Sequence, residues 1–225
     1  MKKKLGVVTI GQSPRVDVGP ILEKHLGEEV KVLQTGVLDG FRLEEITSRF
    51  APGPKDYVLT SRLSTGGSVV MAREKIWPIL QGRIYALEEE GCEKILVLCT
   101  GVFEGLKTRK AHLIEPDQII TPAVAAMVRG LKFGVIVPLQ EQKESLVGKF
   151  KRHGLHPFFA AASPYVSKAE DFQRAVETLK ASGVEIILLD CMGYTEEHRE
   201  LVNRHASIPI ILSNSLMAKI LSEMI

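Results

Sequence analysis

An internal repeat is the feature that most constrains how this chain of 225 residues can fold. Residues 91–101 align without gaps to residues 183–193, and the two segments share Gly, Glu, Ile, Leu, Cys and Gly at matching positions. Cys99 and Cys191 hold the same place in the two copies, 92 residues apart (191 − 99). The chain is therefore expected to consist of two similar halves.

Each half shows strand patterns that alternate with helical patterns. The strands that open the halves correspond, since residues 4–8 resemble residues 132–136. Strands that alternate with helices form βαβ units, whose strands are mostly parallel. The sequence thus predicts an α/β fold of two similar lobes, each with a mostly parallel sheet flanked by helices. The last strand and helix are expected to cross back, so the lobes are predicted at residues 1–120 plus 208–225 and at residues 121–207.

The two matching cysteines are the candidate catalytic residues. Each ends an apolar strand, and parallel sheets bind ligands beyond the carboxyl ends of their strands. If the lobes pack about a pseudo-two-fold axis, Cys99 and Cys191 approach a bound small molecule from opposite sides. Such a pair suits proton transfer at an acidic carbon, in which one thiolate removes a proton and the other thiol delivers one. The alternative is that both are buried cysteines that act as small apolar residues.

The loop after the first strand is a second candidate for ligand binding. Gly11, Gln12 and Ser13 precede a predicted helix, so their backbone N–H groups suit an anion cradle, and Arg15 suits a carboxylate clamp. The open alternative is an ordinary strand-to-helix turn capped by Ser13. Thr65, in the turn of a predicted hairpin, offers a hydroxyl to a carboxylate, although a plain surface turn is the simpler interpretation.

Residues next to the cysteines complete the predicted site. His198, on the helix that follows Cys191, is a candidate to hold or polarise that thiol, or else a solvent-exposed helical histidine. The residues expected to line the site, through backbone amides where the side chain is apolar, are Thr100, Gly101, Met192, Gly193 and Tyr194.

Composition and charge exclude several classes of protein. Lys plus Arg total 29 and Asp plus Glu total 27, so the net charge of +2 gives no electrostatic case for nucleic acid or anionic lipid. No stretch approaches the ~20 apolar residues of a membrane helix, and the apolar run after the first lysines is too short for a signal peptide. The three cysteines form no disulfide framework, so a cytoplasmic location is predicted, with Cys92 structural or incidental. Without a dinucleotide fingerprint, phosphate loop or metal-ligand spacing, neither cofactor nor metal is expected.

Several short sequence motifs, spread over the whole length of the chain, resemble those of the AroM family. They are Thr9-Ile10-Gly11 with Pro14, residues 135–138, residues 189–194 leading to His198 and Arg199, and residues 208–214. That family in turn resembles the aspartate/glutamate racemase superfamily, which includes hydantoin racemases, maleate isomerases and arylmalonate decarboxylases. The resemblance implies a two-lobed fold, paired strand-end cysteines and a homodimer.

The strings around the cysteines depart from those racemases. The racemases usually have Cys-Asn-Thr and Gly-Cys-Thr, whereas this chain has Cys-Thr-Gly at 99–101 and Asp-Cys-Met-Gly at 190–193. Recognition of an amino acid therefore does not follow from the resemblance. We predict a cofactor-independent racemase or isomerase that moves protons on a small carboxylate through its cysteines. The alternatives are a decarboxylase or cis–trans isomerase that depends on Cys191 alone, and a non-catalytic small-molecule-binding or regulatory protein.

Overall fold

The computed structural model describes residues 3–225, in which strands and helices alternate as predicted. The first elements are β1 (Lys3–Thr9), α1 (Gly19–Leu26), β2 (Val30–Gly36), α2 (Leu43–Phe50), β3 (Val58–Arg62), β4 (Ser68–Ala72), α3 (Arg73–Glu89), β5 (Lys94–Leu98) and β6 (His112–Ile114). The remaining elements are α4 (Pro116–Met127), β7 (Phe133–Val137), α5 (Gln142–Lys151), β8 (Phe158–Ala161), α6 (Ala169–Ala181), β9 (Ile186–Leu189), α7 (Glu196–Ala206), β10 (Ile210–Leu212) and α8 (Ser213–Ser222). None of the helices between residues 3 and 225 is long and apolar enough to cross a membrane.

The chain divides into two compact units, each with a parallel sheet of four strands. The first unit holds the described residues up to Pro116 together with Ala218–Ile225, and the second unit is Asp117–Met217. The sheet of the first unit has the order β2-β1-β5-β6, and that of the second has the order β8-β7-β9-β10. Every neighbouring pair in the two sheets is parallel. The predicted α/β fold of two similar lobes is confirmed.

The end of the chain is divided between the units differently from the prediction. The prediction assigned residues 208–225 to the first lobe, but β10 pairs with β9 of the second unit, with Ile210 opposite Ile187. Only Ala218–Ile225 join the first unit. A strand of three apolar residues has no pattern that says which sheet it extends, so the sequence could not distinguish the two sheets.

The strand registers agree with the repeat. In the first sheet Val8 lies opposite Val97, and in the second sheet Ile136 lies opposite Leu189. Val8 matches Ile136 and Val97 matches Leu189 when the two repeat segments are aligned. The two halves therefore place equivalent residues side by side, and the carboxyl ends of β5 and β9 are equivalent positions.

A glycine in the first strand of each sheet lets a helix and its following loop pack closely on the sheet. A methyl group added at Gly6 would lie 3.3 Å from Cys92 Sγ, and one added at Gly134 would lie 2.8 Å from Val184 Cγ1. Cys92 and Val184 are equivalent in the repeat, so the thiol of Cys92 fills the place of a valine methyl. Burial raises the pKa of the Cys92 thiol, which fits its prediction as a structural residue.

The first unit contains a segment that the second unit lacks, made of α2 and the antiparallel hairpin of β3 and β4. This segment confirms the predicted hairpin. Strand β3 lies against the ends of two sheet strands, because Gln12 N donates a 3.2 Å hydrogen bond to Arg62 O and Gly101 packs against Leu59. The hairpin thus borders the edge of the first sheet where Cys99 lies.

We expect Gly134→Ala to lower the free energy of unfolding by about 1–3 kcal/mol, because the added methyl would overlap Val184. Val184→Ala in the same background should restore part of the loss. Urea unfolding followed by circular dichroism measures both changes. Gly148→Ala is the matched control, since its added methyl meets no atom within 4 Å and alanine is the better helix former. An unchanged transition in Gly134→Ala would contradict this account of the packing.

Candidate active site

Cys99 follows β5 directly, at the carboxyl edge of the first sheet. Its side chain is half-buried. The backbone N–H of Gly101 donates a hydrogen bond of 3.3 Å to Cys99 Sγ. The next residue, Thr100, is buried. The chain turns immediately after the strand, and this turn brings the amide two residues later back onto the sulfur.

Cys191 has the same local geometry in the second unit. It lies two residues after the end of β9, and its side chain is also half-buried. The N–H of Gly193 donates to Cys191 Sγ at 3.4 Å. In addition, the hydroxyl of Tyr165 lies 3.9 Å from the same sulfur. Hydrogen-bond donors around a sulfur favour its thiolate form, which is the reactive form of cysteine.

The glycine two positions after each cysteine packs against another side chain. A methyl group at Gly193 would lie 2.6 Å from Tyr165 Cζ, and one at Gly101 would lie 2.9 Å from Leu59 Cδ2. The Tyr165 ring leaves no room for a β-carbon at Gly193, whereas at Gly101 the end of the Leu59 side chain would have to move. Each glycine offers its amide to a sulfur, and contact of these amides with a ligand stays a prediction.

The residues beside Cys191 are held by buried hydrogen bonds. Met192 and Tyr194 are buried, and Tyr194 donates from its hydroxyl to Ala162 O at 2.7 Å. The side-chain amide of Asn214 donates to the backbone oxygens of Met192 and Tyr194. Burial raises the pKa of Tyr194 well above its usual value, and the nearby charges of Cys191 and Asp190 act in the same direction. The Tyr194 side chain is therefore a neutral core group, and its backbone is hydrogen-bonded as well, since its N–H donates to Cys191 O at 3.3 Å.

His198 stabilises the start of α7. Its Nδ1 accepts a 2.9 Å hydrogen bond from the backbone N–H of Thr195, which begins the helix. Its ring packs against Phe172 and Tyr194, with centroid distances of 5.3 and 5.8 Å. These contacts make His198 a half-buried capping residue that orders the loop between Cys191 and α7.

A buried ionic cluster next to Cys191 was not identified in the sequence. Lys149 Nζ lies 2.8 Å from Asp190 Oδ2 and 3.9 Å from Asp117 Oδ1, and all three side chains are buried. Arg152, half exposed, lies 3.6 Å from the second oxygen of Asp117. Leu98 occupies the place of Asp190 in the first repeat, so this cluster distinguishes the two halves. The one feature of the sequence that could have indicated this cluster is Asp190, an acidic residue at the end of an apolar strand.

In the first unit, Gly11, Gln12 and Ser13, the predicted anion cradle, form a turn whose backbone N–H groups are hydrogen-bonded within the protein. Gly11 N donates to Thr9 Oγ1 at 3.3 Å, and Gln12 N donates to Arg62 O. Ser13 donates from both its N–H and its hydroxyl to the carboxylate of Asp39, at 2.8 and 2.6 Å. The backbone amides that were predicted to bind an anion therefore hold protein oxygens instead. The alternative of a turn capped by Ser13 is also wrong, because α1 begins only at Gly19 and its N-cap, Val18, makes no side-chain hydrogen bond.

Arg15 is held by a neighbouring carboxylate. Its Nε and Nη2 atoms donate to the two oxygens of Asp17, at 2.8 and 2.7 Å. Burial alone would raise the pKa of the Asp17 carboxyl, but the hydrogen bonds and charge of Arg15 outweigh burial and lower it. The Arg15 guanidinium, which was predicted to clamp a ligand carboxylate, thus binds a carboxylate of the protein. Thr65 is exposed at the hairpin turn.

The described chain, residues 3–225, contains no group of three or more His, Cys, Asp or Glu side chains that could hold a metal ion. The groups in the site that could take part in acid–base or nucleophilic chemistry are the two strand-end thiols, the Tyr165 hydroxyl and the Lys149 cluster.

The fold is shared with solved structures of two-lobed racemases and a decarboxylase. The chain is similar to allantoin racemase from Klebsiella pneumoniae, with 15% identity, 99% of this chain and 87% of that chain covered, and a TM-score of 0.60. It is also similar to glutamate racemase from Aquifex pyrophilus, with 14% identity, 99% of this chain and 84% of that chain covered, and a TM-score of 0.63. The similarity to arylmalonate decarboxylase has 13% identity, covers 98% of this chain and 91% of that chain, and has a TM-score of 0.56. The chain therefore has the racemase-like α/β fold of two lobes.

The chain belongs to the AroM family, whose model, described as AroM protein, matches residues 5–225. No curated protein sequence matches the chain at a significant level. The resemblance seen in the sequence is confirmed over nearly the whole chain.

We expect Lys149→Met to lower the free energy of unfolding by about 3–5 kcal/mol, because it removes the buried cation that contacts Asp190 and leaves Asp117 with the half-exposed Arg152. Adding Asp190→Leu should restore part of the loss, since Leu98 holds that place in the first unit. Urea unfolding measures both effects. Lys151→Met, an exposed position at the end of the same helix, is the control. Equal transitions for the two lysine variants would contradict a stabilising role for Lys149.

Proposed function

We propose that this protein is a cofactor-independent racemase- or isomerase-like enzyme that acts on a small carboxylate through Cys99 and Cys191. The observation that carries the proposal is the matched geometry of the two thiols. Each follows the equivalent strand of its unit, is half-buried, and accepts an amide hydrogen bond from the glycine two residues later. The activities of the similar solved structures, which are racemases and a decarboxylase, support the same class of chemistry.

The proposed reaction is proton transfer at the carbon next to a carboxylate or carbonyl. A thiolate removes the proton from that carbon and becomes a thiol, and the carbon's bonding electrons delocalise into the adjacent carbonyl group. The other thiol then gives its proton to the carbon and becomes a thiolate. These two steps conserve atoms and charge, and they invert the configuration of the carbon when the two sulfurs act on its opposite faces. It requires that both sulfurs reach the same carbon, which the exchange experiment below tests.

A mechanism that uses one thiol is the second candidate, and the difference between the halves favours it. The Tyr165 hydroxyl lies 3.9 Å from Cys191 Sγ. Asp190, immediately before it, replaces the apolar Leu98 of the first half. A decarboxylase or cis–trans isomerase with Cys191 as its single acid, base or nucleophile follows from that asymmetry.

At pH 7 we expect iodoacetamide to alkylate Cys99 and Cys191 at least ~10-fold faster than Cys92, because amide donors favour the thiolate of the first two. Burial raises the pKa of Cys92, so it stays a protonated thiol at neutral pH and provides an internal reference. Mass spectrometry of the native protein measures the three rates against pH. Rapid reaction of Cys191 alone would select the one-thiol mechanism. Thiols that react only after unfolding would indicate a binding protein.

In D2O we expect the enzyme to exchange the α-proton of one of its substrates, which proton NMR detects as the loss of that signal. The substrates to be tried are both enantiomers of glutamate, aspartate and allantoin, with phenylmalonate as the decarboxylation probe. In a two-thiol mechanism, Cys99→Ser and Cys191→Ser should each lower racemisation by ~100-fold or more. Retention of full activity by Cys99→Ser would exclude the two-thiol mechanism, and Cys92→Ser is the matched control.

A further inference from the structure

A small pocket in the first unit contains an arginine whose guanidinium makes no hydrogen bond or ion pair with residues 3–225, which the structure describes. The pocket measures about 190 Å³ and lies between the turn after β1 and the hairpin. Arg62, at the end of β3, is half-buried in its wall. The residues that line the pocket are Gln12, Pro14, Arg15, Val16, Arg62, Leu63, Ser64 and Gly66.

The charge of Arg62 is not neutralised by the pocket. No carboxylate is among the described lining residues. The charge of Arg62 helps to lower the pKa of the Asp17 carboxyl, but both oxygens of that carboxylate already accept hydrogen bonds from Arg15. A half-buried guanidinium to which no protein carboxylate is hydrogen-bonded is expected to attract an external anion, because its N–H donors and charge are otherwise only partly solvated.

The pocket wall holds Arg62 in a defined position. The backbone oxygen of Arg62 accepts a hydrogen bond from Gln12 N, and the Gln12 side chain accepts bonds from the N–H and the hydroxyl of Ser64, both at 2.9 Å. Gly66, with a φ of +91°, lies against the guanidinium, and a methyl added there would be 3.7 Å from Arg62 Nη2. A larger side chain at Gly66 would cover the guanidinium, so glycine keeps it accessible.

The size of the pocket limits what it can hold. Sites for whole small molecules usually measure ~300–1,000 Å³, so a pocket of about 190 Å³ suits one group of a ligand. A guanidinium fork matches the oxygens of a carboxylate or a phosphate. The hairpin that carries Arg62 also packs, through Leu59, against Gly101, two residues after Cys99, so the pocket lies in the same unit as one candidate thiol.

We infer that Arg62 is the charged contact of an oxyanion subsite, which binds a carboxylate or phosphate group of the small molecule on which the enzyme acts. The inference rests on the proposed function for the identity of that molecule as a substrate. The subsite itself rests on the Arg62 pocket alone. It gives to Arg62 the role that the sequence suggested for Arg15.

The test is a titration of the full chain, labelled with ¹⁵N at arginine, with sodium phosphate and with sodium succinate at constant ionic strength. We expect the Arg62 Nε signal to shift saturably with one of these salts and not with sodium chloride. Arg62→Gln should weaken binding by about tenfold or more, whereas Lys55→Gln, which removes an exposed charge from the same unit, should leave it unchanged. Arg62→Lys keeps the charge and should bind more weakly than the wild type, because it lacks the fork.

Two results would overturn the inference: no saturable shift with either anion, or equal affinity in Arg62→Gln and the wild type when circular dichroism shows both to be folded. Preference for succinate identifies a carboxylate subsite, and preference for phosphate identifies a phosphate subsite. The rates of thiol alkylation without added anion separate this inference from the proposed function. Reactive thiols with no anion binding would refute only the subsite, and anion binding with inert thiols would refute only the enzyme.

Discussion

The register of the central strand pair in each sheet determines which side chains reach its carboxyl edge. Strand β1 pairs with β5, and β7 pairs with β9, in equivalent registers. Successive side chains of a strand point to opposite faces, so a slip of one residue would move the strand end and turn the cysteine to the other side. Gly134 opposes such a slip, because Val184 packs where a β-carbon would lie, and the close packing of Leu87 and Cys92 on Gly6 acts in the same direction.

The parts of the fold that could be predicted from the sequence are the parts that local patterns determine. Apolar strands that alternate with helices indicated parallel sheets, and the repeat indicated that Cys99 and Cys191 occupy equivalent strand ends. Both conclusions depend on residues close together in the chain. The placement of β10 depends instead on which sheet offers an unpaired edge strand, and a three-residue apolar segment carries no information about that choice.

The candidate site could be predicted only in part for the same reason. Lys149 and Asp190 are 41 residues apart, and nothing near either residue indicates that they meet in the core. Arg15 was a reasonable ligand contact, because it follows a turn that contains Gly11 and Ser13. Its guanidinium instead binds Asp17, two residues further on, while Arg62 from the distant hairpin lines the pocket without a carboxylate partner. Which arginine can bind a ligand therefore depends on tertiary contacts.

The return of the chain end to the first unit has a consequence for biosynthesis. The second unit is one continuous segment, Asp117–Met217, whereas the first also requires Ala218–Ile225. There Lys3 Nζ donates to the backbone oxygen of Ile225 at 2.6 Å. A ribosome makes the chain from its amino end, so the sheet that is translated first receives its final packing partners only after the second unit has emerged. The amino-terminal unit is thus the last to complete its native contacts during translation.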